Sequence, residues 1–423
     1  MKSLNVKKGL ILISVLCVSV LALSGNCWSA DSDDLLAEIR ALQEKTAELD
    51  TLKTRLSELE TRLATESDLE EKADARAVKF SGVIRYNYAY NDFTESDKDK
   101  KGDMGFDLFR IGVDGEYNDL FYSAQYRWNS YQDFIHHAYI GYNFDETLSA
   151  QLGVTAVPFA NAYETHNFWA GIPYFIGLAD DFDMGLKVIK KSGPWDFQFA
   201  FFKNGEWGSA GKTERYSYDI INDGTQSNEE TNQFNGRVAY TFDHGDLGKT
   251  EVGFSAQWGQ LYNNTTEDMG DHRAFAVHLD GYYGPFNLRF EAVDYEYNAE
   301  NPAGVDDKVV RIGAFSDSFD VAAEGTVYAA GLSYDVPVSW GPISKLTFYD
   351  DYSILVKDES DFEDSHINTV GCMVTAGPVY TYIDVISGKN AAYLGGNSDT
   401  AFGAGDEDAD WGTKFNINIA YYF

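Results

Sequence analysis

At Phe80 the period of the hydrophobic pattern changes from seven to two, and it stays at two to the last residue. The final thirteen residues, WGTKFNINIAYYF, show this most plainly. Phe415, Ile417, Ile419, Tyr421 and Phe423 fall on one face, and Lys414, Asn416, Asn418, Ala420 and Tyr422 on the other. A soluble sheet seldom ends on a bulky aromatic, whereas a membrane-spanning strand seats one in the girdle at the lipid boundary. Everything from Phe80 onward is therefore read as a closed β-barrel. A mean hydropathy of -0.34 looks soluble, but a strand that alternates between lipid and lumen averages its two faces away. Past residue 20 no apolar run reaches the roughly 18 residues that a helical span needs.

Strands are expected at 80–92, 104–117, 120–128, 133–142, 147–158, 183–190, 194–203 and 233–242, then at 250–260, 271–283, 285–297, 326–336, 343–353, 366–376, 378–387 and 411–423. That makes an all-β transmembrane barrel of 16 antiparallel strands. Its linkers alternate between short and long, as tight periplasmic turns alternate with outer loops, and only 129–132 is short on the long side. The segment 298–325 contains DKVVRIGAF and is read as outer loop, with an extra hairpin as the alternative.

Two segments precede the barrel. Lys2, Lys7 and Lys8 lead into the apolar run Leu10 to Leu23, with small Ser29 and Ala30 beyond it, so residues 1–30 read as a signal peptide. Its removal leaves Cys372 as the sole cysteine, expected on the lipid face of its strand. Residues 31–78 read as a periplasmic coiled-coil helix, because Leu35, Leu42, Leu49, Leu56 and Leu63 recur every seven residues among strong helix formers. A lone copy would leave that stripe in water, so the helix calls for partners. Residues 79–423 are then the outer-membrane barrel.

The terminal YYF, GVTAVPF at 153–159 and PYFIGLADDFDMGLKV at 173–188 resemble the trimeric, sixteen-stranded porins of Gram-negative outer membranes, in particular the phosphate-selective and dicarboxylate-specific group with an N-terminal periplasmic coiled coil. The resemblance implies a homotrimer in which residues 159–182 fold inward as a constriction loop. Anion-passing relatives carry a lysine before the Pro-Phe of the fifth strand. Here Ala156 and Val157 precede Pro158-Phe159, which points away from phosphate.

Charge points the same way. Residues 1–30 hold three lysines and no acid, and residues 31–78 hold 14 acidic and 7 basic residues, which leaves 53 acidic against 23 basic in the barrel. Such a field gathers cations at the mouths and excludes nucleic acid as a partner. Inside, Arg85, Arg110, Arg127, Arg237 and Arg289 fall on the lumen face of their strands, while the loop offers Glu164, Asp180 and Asp181, with Asp183 at its exit. Positive wall and negative loop would set a transverse field across the eyelet. The other use of such arginines is pairing with lumen carboxylates such as Asp114 or Glu291.

The expected function is passive diffusion of small hydrophilic solutes and ions, with a preference for cations. Two alternatives stay open: a pore specific for small carboxylates or other anions, and a structural or adhesive barrel tethered to the cell wall through its coiled coil. Seven scattered histidines in no catalytic spacing give no enzyme, no catalytic residue and no fixed metal set. His136 and His137, adjacent on a strand, are expected on opposite faces. No cofactor is called for. Carboxylates of the outer loops, namely Asp406, Glu407, Asp408 and Asp410 with Glu267, Asp268 and Asp271, suit Ca2+ shared with lipopolysaccharide.

Overall fold

The computed structural model describes residues 32–74, 78–161, 164–208 and 213–423, so the signal peptide expected at 1–30 lies outside it. Two units divide between Asp74 and Ala75. The first is one helix, α1 (Ser32–Asp74), which contains neither Pro nor Gly. Along it Leu42, Leu49 and Leu56 of the expected seam are more than half exposed, as are Leu52 and Leu59. The side chains of Leu35 and Leu63 lie outside the described ones. Thr46, which suits a tight seam poorly, donates its hydroxyl to the Leu42 carbonyl at 2.7 Å. No helix among the described residues is long and apolar enough to cross a membrane.

The second unit opens with β1 (Val78–Asn91), the short α2 (Glu95–Lys100), β2 (Asp103–Tyr117), β3 (Leu120–Asn129), β4 (Asp133–Asn143) and β5 (Leu148–Ala156). It continues through α3 (Ile172–Phe175), β6 (Phe182–Ser192), β7 (Trp195–Gly205), β8 (Asp219–Ile220), β9 (Asn228–Asp243), β10 (Lys249–Asn263), β11 (Met269–Tyr283) and β12 (Phe286–Asn298). After β13 (Val309–Ala314) and β14 (Asp317–Ala322) come β15 (Glu324–Trp340), β16 (Ile343–Lys357), β17 (Ser365–Ala376), β18 (Val379–Lys389) and β19 (Gly412–Tyr422). Sixteen of these strands close an antiparallel barrel, while β14, β13 and β8 form a separate three-stranded sheet. The DKVVRIGAF segment is thus a hairpin, but one that stays out of the wall.

Closure is made by β1 against β19, in register from Val83 opposite Tyr422 to Asn91 opposite Lys414. The terminal residue takes part, since the Phe423 N–H donates to the Gly82 carbonyl at 3.1 Å and the Gly82 N–H returns a bond at 2.9 Å. The barrel wall is thereby left without an open edge, as lipid requires, because an unpaired backbone group in hydrocarbon costs several kcal/mol. Directly opposed residues share a face. Phe348, Cys372 and Ile383 stand in one such row across β16, β17 and β18. Phe348 and Ile383 are exposed on the outer surface, which puts Cys372 on the lipid side.

The long connections all leave from one rim, and they interlock inside it. Phe175 from the connection 157–181 stacks on Phe402 from 390–411, with centroids 5.9 Å apart, and Phe402 packs on Phe319 of β14 at 5.5 Å. Tyr218, from the connection 206–227, packs on Phe319 at 5.5 Å. Four segments distant in sequence thus share one buried apolar cluster. Each fully buried side chain of this size contributes about 1.5–3 kcal/mol, which opposes the entropy cost of ordering long connections.

One local departure from alternation changes a side-chain assignment. On the β3–β4 ladder Gln125 pairs with His137 but Tyr126 pairs with Ile135, which leaves His136 as the extra residue of a bulge. Both histidines then point inward, with Nδ1 atoms 2.8 Å apart. The expectation of opposite faces fails because the bulge adds one residue to the period.

Candidate functional site

The connection 157–181 returns on itself, the Val157 N–H donating to the Asp181 carbonyl at 2.9 Å, and then crosses the lumen along the inner wall. Its polar atoms are held strand by strand. The Ala160 N–H donates to Ser255 Oγ of β10 at 3.1 Å, and Asn161 donates to Glu291 and to the Phe290 carbonyl of β12. Asp351 of β16 accepts four bonds, from the His166 N–H, His166 Nδ1, the Asn167 N–H and Asn167 Nδ2, all between 2.7 and 2.9 Å. Ser353 Oγ receives the Ile172 N–H at 3.0 Å. Glycine at 331 makes room for this, since a side chain there would overlap the Asp351 carboxylate. Among the described residues of the loop, the non-glycine residues Ala160, Ala170 and Asp180 have positive φ. Such strain persists only where surrounding bonds over-determine it, as they do here.

Opposite the loop lies the arc from β1 to β4. Between the two is a cavity of about 930 Å³, lined by Arg85, Arg110 and Arg127 on the strand side and by Glu164, Phe168 and Asp180 on the loop side. Arg289 of β12 lines it as well, donating to the Thr165 carbonyl. Arg85 pairs with Asp107 and stands over the Phe168 ring at 4.6 Å. Arg127 stands over Tyr216 at 4.5 Å, and that tyrosine donates its hydroxyl to Asp180.

No family model matches the sequence, and no curated protein does. Solved structures do. The outer membrane channel DcaP of Acinetobacter baumannii aligns at 13% identity and TM-score 0.53, over 82% of this chain and 98% of that chain. OmpT of Vibrio cholerae in its trimer form aligns at 14% and 0.52, over 83% and 100%. The anion-selective porin from Comamonas acidovorans aligns at 13% and 0.52, over 82% and 100%. The barrel has the porin fold. At such identities the likeness fixes the architecture, and the lumen chemistry has to be read from this chain's own residues.

Within the porin barrel the expected residues separate into two groups. Arg85, Arg110, Arg127, Arg289, Glu164 and Asp180 converge on the cavity. Arg237 does not: its Nε donates to the Ala160 carbonyl at 3.0 Å, and its Nη2 contacts Glu251 and His278, so it fastens the loop to the wall. Asp181 and Asp183 are also absent from the cavity lining and lie buried at the loop's exit beside Asp219. The reason is local. Asp180 takes a φ of 48°, which turns the chain so that it faces the lumen while its neighbours turn into the wall.

Burial weakens the negative side of the eyelet. Glu164 is 4% exposed and accepts the Gly171 N–H at 2.9 Å. Its carboxyl is pushed up to about 7, first by burial and further by the charges of Asp180 and Asp351. Asp180 is raised to about 6, again mainly by burial, against the pull of Tyr216 and Arg127. Sequence reasoning missed Tyr216 and Tyr218 as lumen groups. They come from the connection 206–227, whose aromatic content was the one available signal.

An inward serine, Ser123, lies 2.9 Å from His137 Nε2 and donates to Asp114 at 2.6 Å. In a hydrolytic triad the carboxylate orients the histidine. Here it binds the serine instead, and His136 occupies the histidine's other nitrogen.

Proposed function

We propose that the barrel is an outer-membrane porin that passes small hydrophilic solutes and ions by passive diffusion, as a trimer whose α1 helices form a periplasmic coiled coil. The observation that carries this reading is the cavity of about 930 Å³ between an arginine-bearing arc and an inward loop held by the opposite arc. Such an arrangement leaves polar groups and a path, where a purely structural barrel needs neither. The trimer form of one structural neighbour, OmpT of Vibrio cholerae, and the exposed leucines of α1 support assembly in threes. The excess of acids over bases in the barrel supports cation preference at the mouths. Asp406, Glu407, Asp408 and Asp410 are exposed on the rim of the long connections, where divalent cations shared with lipopolysaccharide would gather.

A second reading is favoured by one observation. Glu164, the buried carboxyl of the eyelet, loses charge near neutrality, while Arg85, Arg110 and Arg127 line the same cavity. A small carboxylate would then find its strongest partners at the constriction itself. Single-channel recording in planar bilayers separates the readings. Diffusion predicts stepwise conductance with size-dependent passage of a neutral sugar, whereas a carboxylate pore predicts block by a C4 dicarboxylate at concentrations where phosphate and sugar have none. Absence of any conductance would leave the tethered structural barrel.

A further inference from the structure

Asp181 and Asp183 flank Phe182, at the point where the constriction loop rejoins the wall. Asp219 reaches the same place on β8, from the connection between β7 and β9. One carboxylate oxygen from each lies within 4.8 Å of the other two. Two further acids, Glu206 and Glu230, act on this group electrostatically. Of the described residues, Arg215 stands among them, 2.8 Å from Glu206 and 2.7 Å from Asp219.

The remaining bonds leave a specific deficit. Asp183 Oδ2 accepts from Gln233 at 3.2 Å, and Glu206 Oε1 accepts the Ser217 N–H at 2.8 Å. Asp181 Oδ1 and Asp183 Oδ1 have no hydrogen-bond partner, on residues only 7% and 1% exposed. Buried carboxylates are ordinarily hydrogen-bonded, paired or bound to a metal. Arg215 pairs directly with Glu206 and Asp219, while one oxygen of each loop-exit aspartate, Asp181 Oδ1 and Asp183 Oδ1, is left open.

We infer that Asp181, Asp183 and Asp219 form a calcium site that ties the root of the constriction loop to the β8 segment. Calcium takes six to eight oxygen ligands at about 2.3–2.6 Å, so oxygens sharing one ion lie no more than about 5 Å apart, as these do. Carboxylates are hard donors with no affinity for soft metals, and their irregular disposition suits calcium better than octahedral magnesium. Water can complete the shell, because Asp219 and Glu230 also line a cavity of about 180 Å³ that Gly205 borders. A side chain at Gly205 would overlap Asp219 and Arg215 and close that space. The site differs from the exposed carboxylates of the outer loops, and it links two segments that both contribute to the eyelet.

The test uses the full-length protein in detergent, stripped with EGTA, with calcium binding read by equilibrium dialysis and stability by thermal unfolding. Native protein and E146Q/D246N, which alters exposed acids of the short turns, should each bind calcium saturably and unfold at a higher temperature with it. D181N/D183N should lose that binding and ignore calcium, while unfolding without calcium no earlier than the native protein, because amides remove the repulsion. If the double variant fails to assemble, D183N alone serves. Native protein that binds no calcium and unfolds identically with and without it would overturn the site, as would full binding by D181N/D183N. Magnesium reproducing the whole effect at equal concentration would overturn the assignment to calcium.

Discussion

Two arcs of the inner wall carry the same kinds of residue and put them to opposite uses. From β9 to β16, Arg237, Ser255, Glu291, Asp351 and Ser353 are engaged by the inward loop and buried beneath it. From β1 to β4, Arg85, Arg110 and Arg127 line the cavity instead. Strand period puts all of these side chains inside and cannot distinguish them. What distinguishes them is the arc on which the loop lies: Arg237 fastens the loop, Arg289 of β12 both bonds the loop and reaches the cavity, and Arg85, Arg110 and Arg127 line the cavity from the other side.

Releasing the loop should have the largest effect. Asp351→Ala removes the acceptor of four bonds, and loss of one partner from a buried polar network costs about 3–5 kcal/mol. Single-channel current should become larger and noisier and the unfolding temperature should fall. A quiet channel of native conductance would show that Asp351 does not hold the eyelet. On the other arc, Arg127→Ala should leave stability nearly unchanged and lower the chloride-to-potassium permeability ratio several-fold. A unit charge about 8 Å from the ion path is worth about 0.5–2 kcal/mol, between bulk water and an effective dielectric of 20. Equal effects of both substitutions on selectivity and on stability would erase the distinction between the arcs.

A smaller effect comes from pH. Glu164 carries its charge only above its raised value of about 7, so potassium preference should decline as pH falls from 8 to 6 and recover on return. The charged and titratable groups near it are Asp180 on the loop, Asp351 of β16 and Glu291 of β12. Glu164→Gln should move the decline down toward about 6, where Asp180 titrates, and an unchanged profile in that variant would place the titration elsewhere. The smallest effect on conduction is expected from deleting residues 32–74. Single-channel conductance should hold, while the temperature at which trimers dissociate in mild detergent should drop. Unchanged trimer stability would assign assembly to the barrel alone.

All sixteen wall strands were legible because lipid and lumen write opposite demands on alternate residues. Their ends were less so. The alternation marked the strand after β8 from 233, but β9 begins at Asn228, because Asn228, Glu229, Glu230 and Thr231 are polar on both faces and carry no period. The lumen was half legible. Arginine on an inward face was readable, but its use was not, since Arg237 and Arg127 differ only in what crosses above them. Among Asp180, Asp181 and Asp183 the outcome turns on one backbone angle that residue identity does not specify. The His136 bulge and the packing of Tyr216 under Arg127 depend on contacts with distant segments, which leave no local pattern.

If the cavity bounded by Arg110 is the route of conduction, charge on this arc sets which ions pass. Arg110→Cys in a Cys372→Ala background puts one thiol at the site, to be modified by a cationic or an anionic methanethiosulfonate while reversal potential is recorded under a potassium chloride gradient at 0.1 M. Cationic modification should return the potential toward the native value, and anionic modification should drive it further toward potassium. Both shifts should shrink at 1 M, where the screening length falls to about 3 Å. Reversal potentials that neither reagent moves, with modification confirmed by mass, would contradict the account.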